Sequence, residues 1–131
     1  MIERDPTDLA KPPPYREPEA RYLDLDDVRR LRQLVAGHGL EGAVTLGLAG
    51  LRPAEATYAR WGDLADNVLH VRGSSWDGKT KTGRVAMLPA GEVAALRAFR
   101  ARVAERLLRV GLRIDDRTTI LTDGFGEPLR P

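Results

Sequence analysis

One arginine of this sequence lies between two helical stretches, in the segment Gly50-Leu51-Arg52-Pro53-Ala54-Glu55. Gly50 can adopt the left-handed conformation that ends a helix, and Pro53 suits the first turn of the next one. Because a residue before proline disfavours the helical conformation, we expect Arg52 at the joint, beside the free N–H groups of the second helix. A guanidinium there could bind a phosphate with bidentate hydrogen bonds, and the structural alternative is a helix cap that pairs Arg52 with Glu55.

A second set of candidate residues comprises two lysines, Lys79 and Lys81, between two predicted strands. Residues 67–72 alternate in polarity, and residues 84–88 are apolar and precede a proline. The segment between them is rich in glycine, serine and other turn residues, so we predict a β-hairpin with the lysines at its tip. Exposed lysines at such a tip also serve solubility and protect sheet edges, so their position alone does not define a function.

Helical periodicity dominates the rest of the chain. Residues 25–35 form an amphipathic pattern that Asp24 or Asp26 could cap, and residues 40–49 form a helix that leads into the joint. Residues 92–112 predict a longer amphipathic helix, with Val110 among its core residues. One face of that helix carries Arg97, Arg100, Arg102, Arg106 and Arg109. We interpret this face as solvated, although it could contact phosphates.

A short strand is predicted at residues 119–122. The fold class that follows is α+β and mainly helical, with a small antiparallel sheet or hairpin. Residues 1–22 are rich in proline and predict an extended linker, which leaves residues 23–131 as one folded unit. A disordered tail would give the linker the same composition.

These segments resemble the first half of the catalytic domain of the tyrosine recombinases, also called phage integrases. The resemblance rests on the arginine segment, on Tyr58-Ala59-Arg60-Trp61-Gly62-Asp63-Leu64, on the lysine hairpin and on Gly124-Phe125-Gly126-Glu127-Pro128-Leu129. The proline-rich start resembles the linker that precedes that domain in integrases. The resemblance covers nearly all of residues 5–131.

The resemblance implies specific roles for the candidate residues. Arg52 would stabilise charge on the DNA phosphate, with Glu55 in support, and the hairpin lysine would act as general acid for the leaving 5′-oxygen. We assign that lysine as Lys81, with Lys79 as the alternative. Two further arginines, Arg60 and Arg84, are candidates for contacts with DNA phosphates.

The second block of the family, His-x-x-Arg followed by the nucleophilic tyrosine, has no counterpart before Pro131. Tyr15, Tyr22 and Tyr58 lie in or beside the linker or in the arginine block and do not replace it. The chain is therefore expected to be a recombinase fragment that is catalytically incomplete alone, and whether it is an enzyme stays open. The alternatives are a non-enzymatic, integrase-derived DNA-binding regulator or repressor, and a structural module in which Arg52 only pairs with Glu55.

Composition narrows the function classes further. The 131 residues are 42% hydrophobic and 31% charged with a net charge of +2, which is ordinary for a globular chain and too mild to demonstrate nucleic-acid binding. The sequence lacks cysteine and has two isolated histidines, His38 and His70, so we expect no metal site and no cofactor. The expected partners are double-stranded DNA and other recombinase protomers, not a membrane. With no signal peptide evident, the expected location is cytoplasmic, in a bacterial nucleoid or encoded by a phage.

Overall fold

The predicted mainly helical α+β fold with a small antiparallel sheet is confirmed in a computed structural model. The structure describes residue 19, residues 21–72 and residues 83–129. Its elements in chain order are α1 (Leu25–Val35), α2 (Glu41–Leu48), α3 (Pro53–Tyr58), a 3-10 turn (Trp61–Asp63), β1 (Leu64–Ala65), β2 (Val68–Val71), β3 (Arg84–Met87) and α4 (Ala90–Leu108). Among the helices of the described residues, none is long and apolar enough to cross a membrane.

The sheet has three antiparallel strands in the order β1-β2-β3. Strands β2 and β3 pair His70 with Val85 and Leu69 with Ala86, and they match the predicted strands to within one residue at each end. The short strand β1 was not predicted. A tight turn joins it to β2, with Asp66 in the left-handed region at φ 51°. The proposed hairpin tip with Lys79 and Lys81 lies outside the described residues.

Helix α4 supplies much of the core, and α2 packs against it. The buried residues of α4 include five with helical spacing: Val93, Leu96, Phe99, Val103 and Leu107. A Cβ atom on Gly42 would lie 2.5 Å from the ring of Phe99, so a glycine permits the close approach of α2 to α4. The predicted end of this helix at residue 112 was wrong. The helix ends at Leu108 and Gly111 follows with φ 79°, which leaves Val110 52% exposed.

The predicted strand at residues 119–122 does not form. The segment makes two isolated bridges instead, Arg60 with Thr119 and Thr122 with Pro128, while Ile120 is fully buried. Each bridge joins a single residue pair, and the segment changes partner between its two ends. The strand assignment of residues 119–122 was therefore wrong.

Helix α1 begins as predicted with Asp24 as its cap, since the Asp27 N–H donates to Asp24 Oδ1 at 2.8 Å. Its apolar face contributes less to the core than its periodicity predicts, and Leu34 is 80% exposed. An ion pair from Arg32 to the buried Glu92 joins α1 to α4.

Candidate functional site

Arg52 lies at the joint between α2 and α3, as the sequence predicts. Gly50 adopts φ 80° after α2, and Arg52 is extended at φ −68° and ψ 153° immediately before Pro53. The Arg52 side chain is 76% exposed. The first residue of α3 lacks an N–H, and the exposed guanidinium of Arg52 is the side-chain hydrogen-bond donor that this joint offers to a ligand.

Glu55 fixes the backbone of the joint. The Arg52 N–H donates to Glu55 Oε2 at 2.8 Å, which is one half of a capping box. An arginine side chain has no acceptor, so it cannot supply the other half. The guanidinium of Arg52 is further away, with Nη1 at 3.9 Å from Glu55 Oε1. The backbone of Arg52 is therefore held closely while its side chain extends into solvent.

The close ion-pair partner of Glu55 is Arg84, the first residue of β3. Arg84 Nη2 lies 2.7 Å from Glu55 Oε2, its Nε lies 3.3 Å from Oε1, and Nη2 also donates to the Gly50 carbonyl at 2.8 Å. The Glu55 side chain is 11% exposed and that of Arg84 is 43% exposed. The hydrogen bond from Arg84 is the main cause that lowers the pKa of Glu55, and the same bond raises the pKa of Arg84.

This pairing bears on the sequence prediction for Arg84. The sequence made Arg84 a candidate for DNA phosphate, and the structure directs its donors to Glu55 and to the end of α2. The two residues are 29 positions apart, so helical or strand periodicity could not reveal their contact. A contact between Arg84 and DNA stays a prediction.

A second carboxylate–arginine pair lies beside the sheet. Asp63 is buried, and Arg72 binds its Oδ1 with Nη2 at 2.6 Å and Nε at 2.8 Å. That hydrogen bond raises the pKa of Arg72. The Arg60 N–H donates to the other oxygen, Oδ2, at 3.2 Å, while the Arg60 side chain is half-buried. The sequence identified Asp63 only as part of a motif, and a role for Arg60 at DNA phosphate stays a prediction.

Four of the five arginines predicted on this helix face have partners within the protein, and one of them is Arg106, whose Nη2 lies 3.4 Å from the Thr122 carbonyl oxygen. Arg100 lies over the ring of the buried Trp61, with its guanidinium carbon 5.4 Å from the ring centre. Arg102 forms an ion pair with the buried Glu41, and Arg109 binds Glu105 at 2.7 Å. Arg97, Arg100, Arg106 and Arg109 are exposed, which agrees with the interpretation of this face as solvated, and a contact with phosphates stays a prediction.

The structure thus brings three of the sequence-predicted residues together: Arg52, Glu55 and Arg84. Lys81 and its alternative Lys79 lie outside the described residues, so their assignment stays a prediction. The Arg52 side chain is the more exposed of the two arginines in this cluster, so a polyanion can reach its guanidinium from solvent.

Comparison with known proteins gives a structural match. No family model matches the sequence, and no curated protein does so either. The helices and the three-stranded sheet are similar in fold to a recombinase. One matching structure is the crystal structure of XerA recombinase, with a TM-score of 0.65 and 20% sequence identity over 92% of this chain. The chain spans 40% of the length of that protein.

Proposed function

We propose that this chain is a DNA-binding unit corresponding to the first half of a tyrosine-recombinase catalytic domain. Residues 23–131 would form the unit and residues 1–22 the linker that precedes it. The proposal rests first on the exposed guanidinium of Arg52, which extends from a joint whose carboxylate is already bound by Arg84. The similarity in fold to XerA recombinase supports it.

The alternative, a helix cap in which Arg52 only pairs with Glu55, predicts a different geometry for these two residues. If Arg52 served mainly to pair with Glu55, its guanidinium should hold the carboxylate at short range. The separation is 3.9 Å for Arg52 and 2.7 Å for Arg84, so Arg84 fulfils the structural role. Arg52 is left with donors for an external anion.

The proposed chemistry follows from the two kinds of cation. Arg52 would hold a non-bridging oxygen of a DNA phosphate and stabilise the charge that develops there. Lys81, or Lys79, would protonate the leaving 5′-oxygen. No segment of the printed sequence resembles the His-x-x-Arg block that carries the histidine and second arginine of the tyrosine recombinases, and we propose that none of its tyrosines is the nucleophile. We therefore propose that this chain binds DNA and that cleavage requires residues from another protomer or a longer polypeptide.

Titration of a labelled duplex at low and moderate salt tests the proposal. We expect weak, sequence-tolerant and salt-sensitive binding, because a unit of this size reaches few phosphates. Arg52→Ala should lower the affinity at low salt by roughly 10-fold or more, the value of one charge-assisted hydrogen bond. Tight binding that persists at high salt would favour the DNA-binding regulator instead.

Arg29→Ala is the matched control for Arg52→Ala. Arg29 is similarly exposed, at 72%, and it also pairs with an acidic residue three positions away, Asp26 at 2.8 Å. A general effect of net charge should weaken binding equally in the two variants. Equal losses, or no loss in Arg52→Ala, would contradict the proposed site.

A further inference from the structure

We propose that Arg84 is a positioning residue for Arg52, acting through Glu55 and the Gly50 carbonyl rather than by binding phosphate itself. This inference rests on the proposed function, since it concerns how the phosphate-binding guanidinium is held. It changes the role that the sequence suggested for Arg84.

The contacts of Arg84 lie on both sides of Arg52 in the chain. On one side, Nη2 donates to the Gly50 carbonyl at 2.8 Å, at the left-handed residue that follows α2. On the other side, the guanidinium holds Glu55, whose Oε2 accepts the Arg52 N–H at 2.8 Å. One side chain thus holds the Gly50 carbonyl directly and the Arg52 N–H through Glu55, and the direction of the Arg52 side chain depends on that backbone.

The planar geometry of an arginine suits both contacts made at position 84. The planar fork of a guanidinium donates to a carboxylate and a carbonyl at once, whereas a lysine ammonium is a point charge without this fixed geometry. Arg84 is also the first residue of β3 and pairs with Val71 of β2. The pairing of β3 with β2 therefore fixes the backbone position of Arg84, whose side chain reaches Glu55 and Gly50.

A double-mutant cycle on DNA binding separates positioning from direct phosphate contact. If Arg84 acts through Arg52, Arg84→Ala should weaken duplex binding by about as much as Arg52→Ala, and it should change the affinity less than about two-fold in the Arg52→Ala background. If Arg84 binds its own phosphate, the two losses should multiply, and the slope of log affinity against log salt should fall by about 0.9 for each arginine. Multiplying losses would overturn the inference.

Hydrogen exchange of the Arg52 amide tests the same inference without DNA. Arg84→Gln should lower the protection of that amide by about 10-fold relative to the Leu96 amide in the core, because Glu55 loses the partner that holds it in place. Arg84→Lys should restore the protection only in part. An Arg52 amide with unchanged protection in Arg84→Gln would overturn the inference, even if the chain failed to bind DNA and the proposed function were wrong.

Arg102→Gln is the control for a loss of stability alone. The Arg102–Glu41 pair is as exposed as the Arg84–Glu55 pair, at 40% and 12% against 43% and 11%. A general destabilisation should lower protection at Arg52 and Leu96 together in both variants. A selective loss at Arg52 in Arg84→Gln supports positioning, and the same selective loss in Arg102→Gln would contradict it.

Discussion

Glu55→Gln tests the ion pair that organises the joint. Glu55 accepts two hydrogen bonds from Arg84 and one from the Arg52 N–H, and its side chain is 11% exposed. Glutamine has nearly the same shape but carries no charge, and its amide group replaces one acceptor with a donor. The variant therefore removes the charge of the carboxylate and at least one of its hydrogen bonds while leaving the volume almost unchanged.

The expected loss in the free energy of unfolding is about 1–2 kcal/mol at pH 7. A hydrogen bond to a charged group contributes about 1.5–3 kcal/mol, and solvent around the half-exposed Arg84 reduces this value. For a domain of this size the loss corresponds to a decrease in melting temperature of roughly 3–6 °C. Urea denaturation at several pH values gives the free energy directly.

The contribution of Glu55 to the free energy of unfolding should decrease as the pH falls. The pKa of Glu55 is lowered in the folded protein from its ordinary value of 4.5, so its contribution is fully present above that value. The contribution is lost as the pH falls through the lower, folded-state pKa. The difference between wild type and Glu55→Gln should therefore be present at pH 7 and should shrink below about pH 4. An equal difference at pH 7 and pH 3 would refute the role assigned to the charge.

Two further predictions concern the packing of α2 against α4 and the lysine proposed as general acid. Gly42→Ala should destabilise the protein by about 1–3 kcal/mol in urea denaturation, because the new Cβ would meet the Phe99 ring at 2.5 Å. Gly47→Ala, in the same helix with open space around its Cα, should not destabilise it. In a longer protein that carries the nucleophilic tyrosine, Lys81→Ala should slow DNA cleavage. A substrate with a 5′-sulfur leaving group, which needs no protonation, should restore the rate. If this substrate rescues Lys79→Ala and not Lys81→Ala, the general acid is Lys79.

The joint could be predicted because its signals are local. A helix-ending glycine, a residue before proline and a glutamate three positions later are all within one short segment, and the structure agrees with each. The alternating polarity of residues 67–72 and the apolar run of residues 84–88 likewise located β2 and β3. Local backbone preferences thus established where Arg52 lies and why it is not part of a helix.

The arginine partners of Glu55 and Glu41 could not be predicted in the same way. Arg84 is 29 positions from Glu55, and Arg102 is 61 positions from Glu41, so only the packing of distant elements brings them together. Periodicity also gave the wrong end for α4, because the apolar pattern continues to Val110 whereas the helix ends at Leu108. Sequence patterns identify a face, but tertiary contacts decide how much of it is buried.

The most direct test of the central claim follows the arginine side-chain signals by NMR while a short duplex is added. The account predicts that the Nε–H signal of Arg52 shifts most, that the shift is reversed by salt, and that Arg29 stays unchanged. In Arg52→Ala, the duplex should no longer shift the remaining signals at the joint, and the melting temperature should be nearly unchanged. The account would be contradicted if Arg52 stayed unshifted while the arginines of α4 moved, or if Arg52→Ala unfolded the domain and left DNA binding intact in the folded remainder.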